Sequence, residues 1–114
     1  MSGIVTVYAT FGSDAEAVQI SRTLVEERLA ACANVLGACR SIYRWKGDIE
    51  DAAEVAVLYK TTAARAPELI ARLTELHSYE VPAAVVWPIA EASAPYAEWV
   101  AQEVSAGTAP ANSL

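Results

Sequence analysis

The first part of the chain predicts a buried strand followed by an amphipathic helix. Residues 4–9 are almost continuously apolar and rich in β-branched side chains, which is typical of a central strand covered on both faces. Ser13 and Glu16 stand at capping-box spacing, where their side chains can satisfy the free amides at a helix start. Apolar residues then recur on one helical face, and we expect this helix to run to about Ala31.

The middle of the chain predicts a long β-hairpin. A strand region covers residues 33–45 and is interrupted around Gly37. Residues 45–48 (Trp-Lys-Gly-Asp) have the composition of a tight turn, since Gly47 can adopt positive φ at no steric cost. Over residues 54–61, the side chains of Val55, Val57 and Tyr59 alternate with those of residues 56, 58 and 60. This alternation predicts the returning strand.

The last part predicts a helix, a short strand and a further helix. Pro67 suits the first turn of a helix, whose apolar stripe continues to His77. Prolines bracket a short strand at residues 83–87, which favours a position at a sheet edge. We expect the third helix to end at Gly107 and residues 108–114 to form a flexible tail.

This order, β-α-β-β-α-β-α, predicts an α+β protein with the ferredoxin-like arrangement. Two split β-α-β units would form one four-stranded antiparallel sheet, with an additional C-terminal helix. We expect one domain over residues 1–107. The hairpin aromatics Tyr43, Trp45 and Tyr59 would crowd a small monomer, so we expect an oligomer.

Composition and charge exclude several classes of protein. The chain has 114 residues and is 54% hydrophobic, but 24 of its residues are alanine, and no apolar stretch approaches the roughly 20 residues of a membrane span. The net charge of −6, without any run of Lys or Arg, argues against nucleic-acid binding. No signal peptide is visible, and Cys32 and Cys39 lack CxxC spacing. We therefore interpret both cysteines as reduced thiols and expect a cytoplasmic protein.

Five segments, taken in order, resemble the CutA divalent-ion tolerance family, and the similarity spans residues 4–103. The segments are Glu-Arg-Leu-Ala-Ala-Cys-Ala-Asn at 27–34, Ser-Ile-Tyr-Arg-Trp-Lys-Gly at 41–47, Glu54 with Lys60 and Thr61, His-Ser-Tyr-Glu-Val-Pro at 77–82, and Tyr96 with Trp99. The resemblance implies a ferredoxin-like subunit in a homotrimer, similar in shape to PII-type signalling proteins. It also implies tolerance of copper and other divalent cations, without catalysis and without a required cofactor. The alternative function is a PII-like sensor that binds a small anion in clefts between subunits.

The candidate metal ligands are His77, Cys32 and Glu80. A transition metal such as Cu(II) recruits several N, S or O donors, so these three would have to converge in one subunit or across a trimer. The alternative for His77, the only histidine, is a cation at a helix end, and for Cys32 a small buried residue. Some relatives carry Cys where this chain has Ala9 and a second His where it has Leu76.

The candidate ligand cleft comprises Lys60 and the aromatic residues Tyr43, Trp45, Tyr79 and Trp99. Lys60 would either face an anionic ligand between subunits or pair with a carboxylate, for which Glu54 and Glu80 are the candidates. The aromatic rings could equally serve packing, with their polar tips lining a cleft.

Acidic residues cluster after the hairpin turn, at Asp48, Glu50, Asp51 and Glu54. We interpret them as a solvated face that attracts cations weakly.

Overall fold

The structure, a computed structural model, describes residues 2–105. The predicted element order is confirmed, whereas Gly107 and the predicted tail at residues 108–114 lie outside the described residues. No helix in the described part is long and apolar enough to cross a membrane. The elements are β1 (Ile4–Phe11), α1 (Asp14–Glu26), β2 (Cys32–Trp45), β3 (Asp48–Thr62), α2 (Ala66–Leu76), β4 (Ala84–Pro88) and α3 (Ala94–Ser105).

The four strands form one antiparallel sheet in the order β2-β3-β1-β4. The first strand lies between β3 and β4, so it is central, as its apolar run predicts. The proline-bounded β4 pairs with β1 alone and forms a sheet edge, which is also as predicted. This strand order with its two β-α-β units is the ferredoxin-like arrangement, and the predicted fold class is confirmed.

The first helix ends earlier than its apolar periodicity predicts, at Glu26 instead of about Ala31. Arg28 adopts a positive φ of 60°, and the next two amides both donate to the Leu24 carbonyl, at 3.0 and 3.2 Å. The Ala31 amide then donates to the Lys60 carbonyl at 2.8 Å, so the chain has already joined the sheet. The apolar pattern does not reveal this end, because no Gly or Pro marks it. The residues that follow, Leu29, Ala30 and Ala31, are buried although they are not helical, so they continue the apolar pattern of the helix.

The hairpin has the predicted turn and interruption. Lys46 (φ 51°) and Gly47 (φ 90°) form a two-residue turn, and the register shifts between Val35 and Gly37, where Gly37 has a φ of 97°. The returning strand begins at Asp48, six residues before the predicted start, because the pairing with β2 continues up to the turn.

The two faces of the sheet are covered unequally. Alternate residues of β1 point to α1 and α2, whereas Ile4 points to the other face and packs with Ala31 and two residues of α3, Val100 and Val104. The helix α3 therefore covers only one end of the second face. The main core, between the sheet and the first two helices, includes Val7, Phe11, Leu24, Val57, Tyr59, Leu69 and Leu73.

The outer half of the hairpin extends beyond the rest of the sheet. The partners of β1 on β3 end at Val55, so residues 39–45 and 48–54 pair only with each other within the described part of the chain. We call these two segments the arm. Its apolar residues Ile42 and Ile49 are 69% and 60% exposed, which a two-stranded ribbon cannot offset by its own packing.

A buried hydrogen bond joins the sheet to α1. The Tyr59 ring is fully buried, and its hydroxyl lies 2.8 Å from the Ser21 hydroxyl. Burial raises the pKa of Tyr59 to about 12, although the bond to Ser21 opposes this rise, so the phenol stays protonated at neutral pH.

We expect Tyr59→Phe to lower the free energy of unfolding by about 1–3 kcal/mol, because it leaves the buried Ser21 hydroxyl without its partner. Urea denaturation at fixed protein concentration measures the effect. The control Tyr43→Phe makes the same change on a ring that is 42% exposed and should cost under about 0.5 kcal/mol. Equal costs for the two variants would contradict the prediction.

Candidate functional site

A cavity of about 530 Å³ opens where the arm meets the loop that follows α2. Its volume lies in the range of small-molecule sites. Alternate residues of β1, β2 and β3, whose side chains point to the same face of the sheet, form one side of the cavity. The loop after α2, which crosses the end of the sheet, forms the other side. The lining residues are Tyr8, Thr10, Ser41, Tyr43, Trp45, Glu54, Tyr79, Glu80, Val81 and Ala83.

A carboxylate and a phenol form the polar centre of this cavity. Glu54 is only 7% exposed, and its Oε2 accepts a hydrogen bond from the Tyr79 hydroxyl at 2.6 Å. Tyr79 reaches Glu54 by passing over Gly12, where a Cβ would stand 3.3 Å from the phenol oxygen. A side chain at Gly12 would therefore displace the ring that orients Glu54.

Burial and the neighbouring carboxylate keep Tyr79 protonated. Burial is the largest cause that raises the pKa of Tyr79, followed by its hydrogen bond to Glu54 and the charge of that carboxylate. Burial also raises the pKa of Tyr8, which lines the same cavity. Both phenols therefore stay protonated at neutral pH, and Tyr79 donates its one O–H group to Glu54.

His77 holds the base of the loop against the sheet. Its Nε2 lies 2.7 Å from the Thr10 carbonyl oxygen, which can only accept, so Nε2 carries the proton. Its Nδ1 accepts from the Tyr79 amide at 3.1 Å, and the ring stacks on Phe11 with centroids 4.7 Å apart. The side chain is fully buried, and its hydrogen bonds define the neutral Nε2–H tautomer.

The predicted metal ligands do not converge within one subunit. Both His77 nitrogens are engaged, and a metal ion at Nδ1 would have to displace the Tyr79 amide. Cys32 lies instead near α3, with its Sγ 3.6 Å from the Tyr96 hydroxyl. Glu80 is exposed and pairs with Lys46 at 3.5 Å.

The sheet register explains this separation. Cys32 pairs with Lys60, which pairs with Thr6, whereas His77 contacts Thr10 of that same strand. Four strand residues span roughly 13 Å. Among residues 2–105 no group of three or more His, Cys, Asp or Glu side chains could hold a metal ion. The residues of one subunit therefore do not fit a copper or zinc centre.

The structure brings three of the predicted cleft residues together and leaves two apart. Tyr43, Trp45 and Tyr79 line the cavity. Trp99 lies on α3, where its ring packs near that of Tyr96 with centroids 5.8 Å apart. Lys60 donates to the Asn34 amide oxygen at 3.0 Å and, within residues 2–105, pairs with neither of the candidate carboxylates.

The sequence predicts that the acidic residues after the turn share one solvated face, and the structure does not place them on one such face. Asp51 receives two hydrogen bonds of 2.7 Å from Arg40, and these lower the pKa of its carboxyl group. Glu54 is buried, because β3 passes beneath the loop after α2 at that point. Sequence reasoning treated these carboxylates alike because the loop that covers Glu54 is remote in the chain.

Sequence reasoning also missed the small and hydroxylic residues of the cavity, Thr10, Ser41 and Val81. One signal was present for two of them: strand alternation places Ser41 with Tyr43 and Trp45, and Thr10 with Tyr8. The alternation does not reveal that β1 and the arm face a common cavity, since this depends on sheet order.

The fold and cavity define a ferredoxin-like α+β protein with a projecting hairpin arm and an aromatic-lined acidic site. Residues 5–103 match the family model described as CutA1 divalent ion tolerance protein. The chain belongs to this family, which confirms the resemblance identified from the segments above.

Individual relatives agree with this assignment. The chain is 44% identical over 94 residues to the divalent-cation tolerance protein CutA of Thermus thermophilus, covering 82% of this chain and 91% of that protein. It is 38% identical to the human Protein CutA over 83% of this chain, but spans only about half (53%) of the human protein. The solved structure of the periplasmic divalent cation tolerance protein CutA from Archaeoglobus fulgidus has a TM-score of 0.86 and 32% identity, covering 89% of this chain and 98% of that one.

The predicted cytoplasmic location is wrong by this last comparison, because the Archaeoglobus fulgidus relative is named a periplasmic protein. Two unpaired thiols and the lack of a visible signal peptide are indirect indicators of compartment. Cys32 and Cys39 are both free thiols in the structure, but thiol state alone does not assign a location.

We expect Glu54→Gln to lower the pKa of Tyr79, because it removes the negative charge that opposes phenolate formation. The phenol should still titrate above its ordinary value, since burial is the larger cause. The tyrosine Cζ shift, followed by NMR as a function of pH, measures this. The control Glu26→Gln makes the same change on α1 and should leave the Tyr79 titration unchanged.

The sign of the linked stability follows from the raised pKa. The stability due to protonated Tyr79 is complete below about pH 10, the ordinary value for tyrosine, and is lost as the pH rises through the folded-state pKa. An unchanged Tyr79 titration in Glu54→Gln would show that the 2.6 Å hydrogen bond does not persist in solution.

Proposed function

We propose that this protein acts in divalent-cation tolerance as a homotrimer that binds divalent metal ions such as copper and catalyses no reaction. Membership of the CutA1 family supports the tolerance role. The separation of the candidate ligands supports metal sites that need more than one subunit. The arm, which is exposed in a single subunit, supports assembly and is the observation on which this proposal chiefly rests.

The arm argument is energetic. Residues 39–45 and 48–54 form a ribbon to which no third strand pairs within residues 2–105, and two-stranded ribbons are marginally stable in water. Ile42 and Ile49 share one face of the arm, because Ile49 pairs with Arg44, two residues after Ile42. Burying these two side chains against another copy would contribute about 1.5–3 kcal/mol for each fully buried residue.

We expect light scattering to give about three times the 12.1 kDa of one chain. The double variant Ile42→Lys/Ile49→Lys should shift the mass toward one chain, because it places two charges in an apolar contact. The control Val18→Lys/Val25→Lys adds the same charge on α1, at positions that are 39% and 37% exposed, and should keep the wild-type mass. A wild-type protein of 12.1 kDa at micromolar concentration would contradict the assembly proposal.

The metal part of the proposal assigns His77, Cys32 and Glu80 to sites completed by a neighbouring subunit. Cys32 is half-buried and the Glu80 side chain is 71% exposed, so both are accessible to a second chain. His77 would join only by giving up the Tyr79 amide, which sets an energetic cost on binding. We therefore propose weak binding instead of the tight binding of a preformed site.

We expect calorimetric titration with Zn(II) and Cu(II) to show weak binding that Cys32→Ser reduces. The control Cys39→Ser makes the same change at the other thiol and should bind as wild type. In NMR spectra, Zn(II) should shift the single imidazole and the Tyr79 amide together if Nδ1 is a ligand. Binding that is indifferent to Cys32→Ser, with no change at His77, would contradict this ligand set.

The sensor of a small anion has less support as an alternative. Lys60 donates to Asn34 and does not line the cavity, whose ionisable lining groups are Glu54, Glu80 and phenols. A carboxylate or phosphate ligand would be repelled by the lining at neutral pH.

A further inference from the structure

We propose that the cavity beside the arm binds a small organic ammonium ion, with the charged group at Glu54 and the carbon skeleton against the aromatic walls. The inference concerns a different ligand and rests on Glu54, Thr10 and Ser41, none of which is a proposed metal ligand, although Glu80 also lines the cavity. It therefore stands independently of the proposed divalent-cation binding.

The charge of the lining favours a cation. Glu54 and Glu80 contribute carboxylates, and among residues 2–105 no Lys, Arg or His belongs to the lining itself. Lys46 pairs with Glu80 from the outer rim, so Glu54 carries the unpaired charge. Glu54 accepts only at Oε2, from Tyr79, and within residues 2–105 its Oε1 has no hydrogen-bond partner. A buried carboxylate oxygen without a partner is costly, and an ammonium N–H group would satisfy it.

Further hydrogen-bonding capacity lies on the strand beside Glu54. Thr10 is 6% exposed and lines the cavity, and its hydroxyl makes no hydrogen bond within the described part of the chain. Ser41, from the arm, is half-buried and also lines the cavity, and its hydroxyl likewise makes no hydrogen bond within residues 2–105. A primary ammonium has three N–H groups, so one carboxylate oxygen and two hydroxyls match its donors in number.

Aromatic rings provide the rest of the surface. Tyr8, Tyr43, Trp45 and Tyr79 line the cavity, and the Tyr8 ring is itself held by stacking on Trp87, with centroids 5.1 Å apart. The faces of such rings attract cations and pack well against carbon chains. A volume of about 530 Å³ accommodates a molecule larger than ammonium itself.

The protein already places one alkylammonium group of its own at this site. The Lys46 Nζ lies 5.5 Å from the centroid of the Trp45 ring and 3.5 Å from Glu80 Oε1. Both Trp45 and Glu80 belong to the cavity lining. The lysine side chain is 69% exposed, so it occupies the outer rim and leaves the Glu54 end open.

A divalent metal ion matches this lining less well than an organic cation. Ions such as Ca²⁺ and Mg²⁺ are held by six or more oxygen ligands from carboxylates, carbonyls and waters, whereas this cavity offers one buried carboxylate among phenols and hydroxyls. The aromatic walls cannot replace the hydration shell of such an ion. They suit a weakly hydrated organic cation.

The test uses 2-phenylethylammonium as the probe, with 2-phenylethanol and phenylacetate as neutral and anionic comparators of similar shape. We expect the ammonium compound to bind most tightly in NMR titration of the full chain. Its addition should shift the Trp45 indole N–H and the Tyr79 amide, while the indole signal of Trp99 on α3 stays in place.

Two variants separate the site from the general field of the protein. Glu54→Gln should weaken binding at least about tenfold, the factor that corresponds to loss of one charge-assisted hydrogen bond of typical strength. Glu26→Gln changes the net charge of −6 by the same amount at a distant helix and should bind as wild type. Because glutamine can still accept from Tyr79, the unliganded Glu54→Gln site should keep its shape.

Three results would overturn the proposal. If 2-phenylethanol bound as tightly as 2-phenylethylammonium, the cavity would select only for apolar shape and not for charge. If phenylacetate bound more tightly than the ammonium compound, the cavity would be an anion site. Displacement of the probe by Mn(II), with broadening of the Tyr43 and Trp45 signals, would assign the cavity to a metal ion instead.

Discussion

The site depends on one short chain of hydrogen bonds that ties the loop after α2 to the sheet. His77 bonds to the Thr10 carbonyl and to the Tyr79 amide, and the Tyr79 hydroxyl in turn bonds to Glu54. These contacts carry the loop around the end of β1 and make it the wall of the cavity. Because they are buried or half-buried, each is costly to break, and they keep Glu54 facing the cavity.

The same chain of bonds changes the meaning of the only histidine. A lone histidine at a helix end, in a family associated with metal tolerance, suggests a ligand. In the folded chain both of its nitrogens are engaged and its ring stacks on Phe11, so its role in one subunit is structural. Under the proposed metal-binding role, a site would need either donors from a second subunit or rearrangement of the loop, because the described part of one chain does not preform it.

The arm and the cavity are consequences of one geometric fact: β2 and β3 are longer than β1. The excess length leaves a two-stranded ribbon with an apolar face that is exposed in the single chain. The opposite face of the ribbon meets the loop after α2 and closes the cavity, from Glu54 at its base to Tyr43 and Trp45 near the turn. Assembly through the arm and ligand binding beside it would therefore involve neighbouring surfaces of the same element.

The local features of the chain were predictable because they depend on near neighbours in sequence. The capping box at Ser13, the turn at Gly47 and the interruption at Gly37 all follow from backbone preferences of the residues present. The premature end of α1 was not predictable, because Arg28 takes a left-handed conformation that its residue type does not favour. Tertiary contacts of the residues that follow stabilise that conformation.

By itself, the sequence determined the element order, the ferredoxin-like arrangement and the family. The hydrophobic periodicity, the turn residues and the motifs in each segment all depend on residues that are close together in the chain. Only the tertiary structure decided which of the candidate side chains meet. It buried Glu54, paired Lys60 with Asn34 and separated Cys32 from His77. The physical reason is that these contacts depend on sheet order, register and the path of one loop, and each of them joins residues that are far apart in the chain.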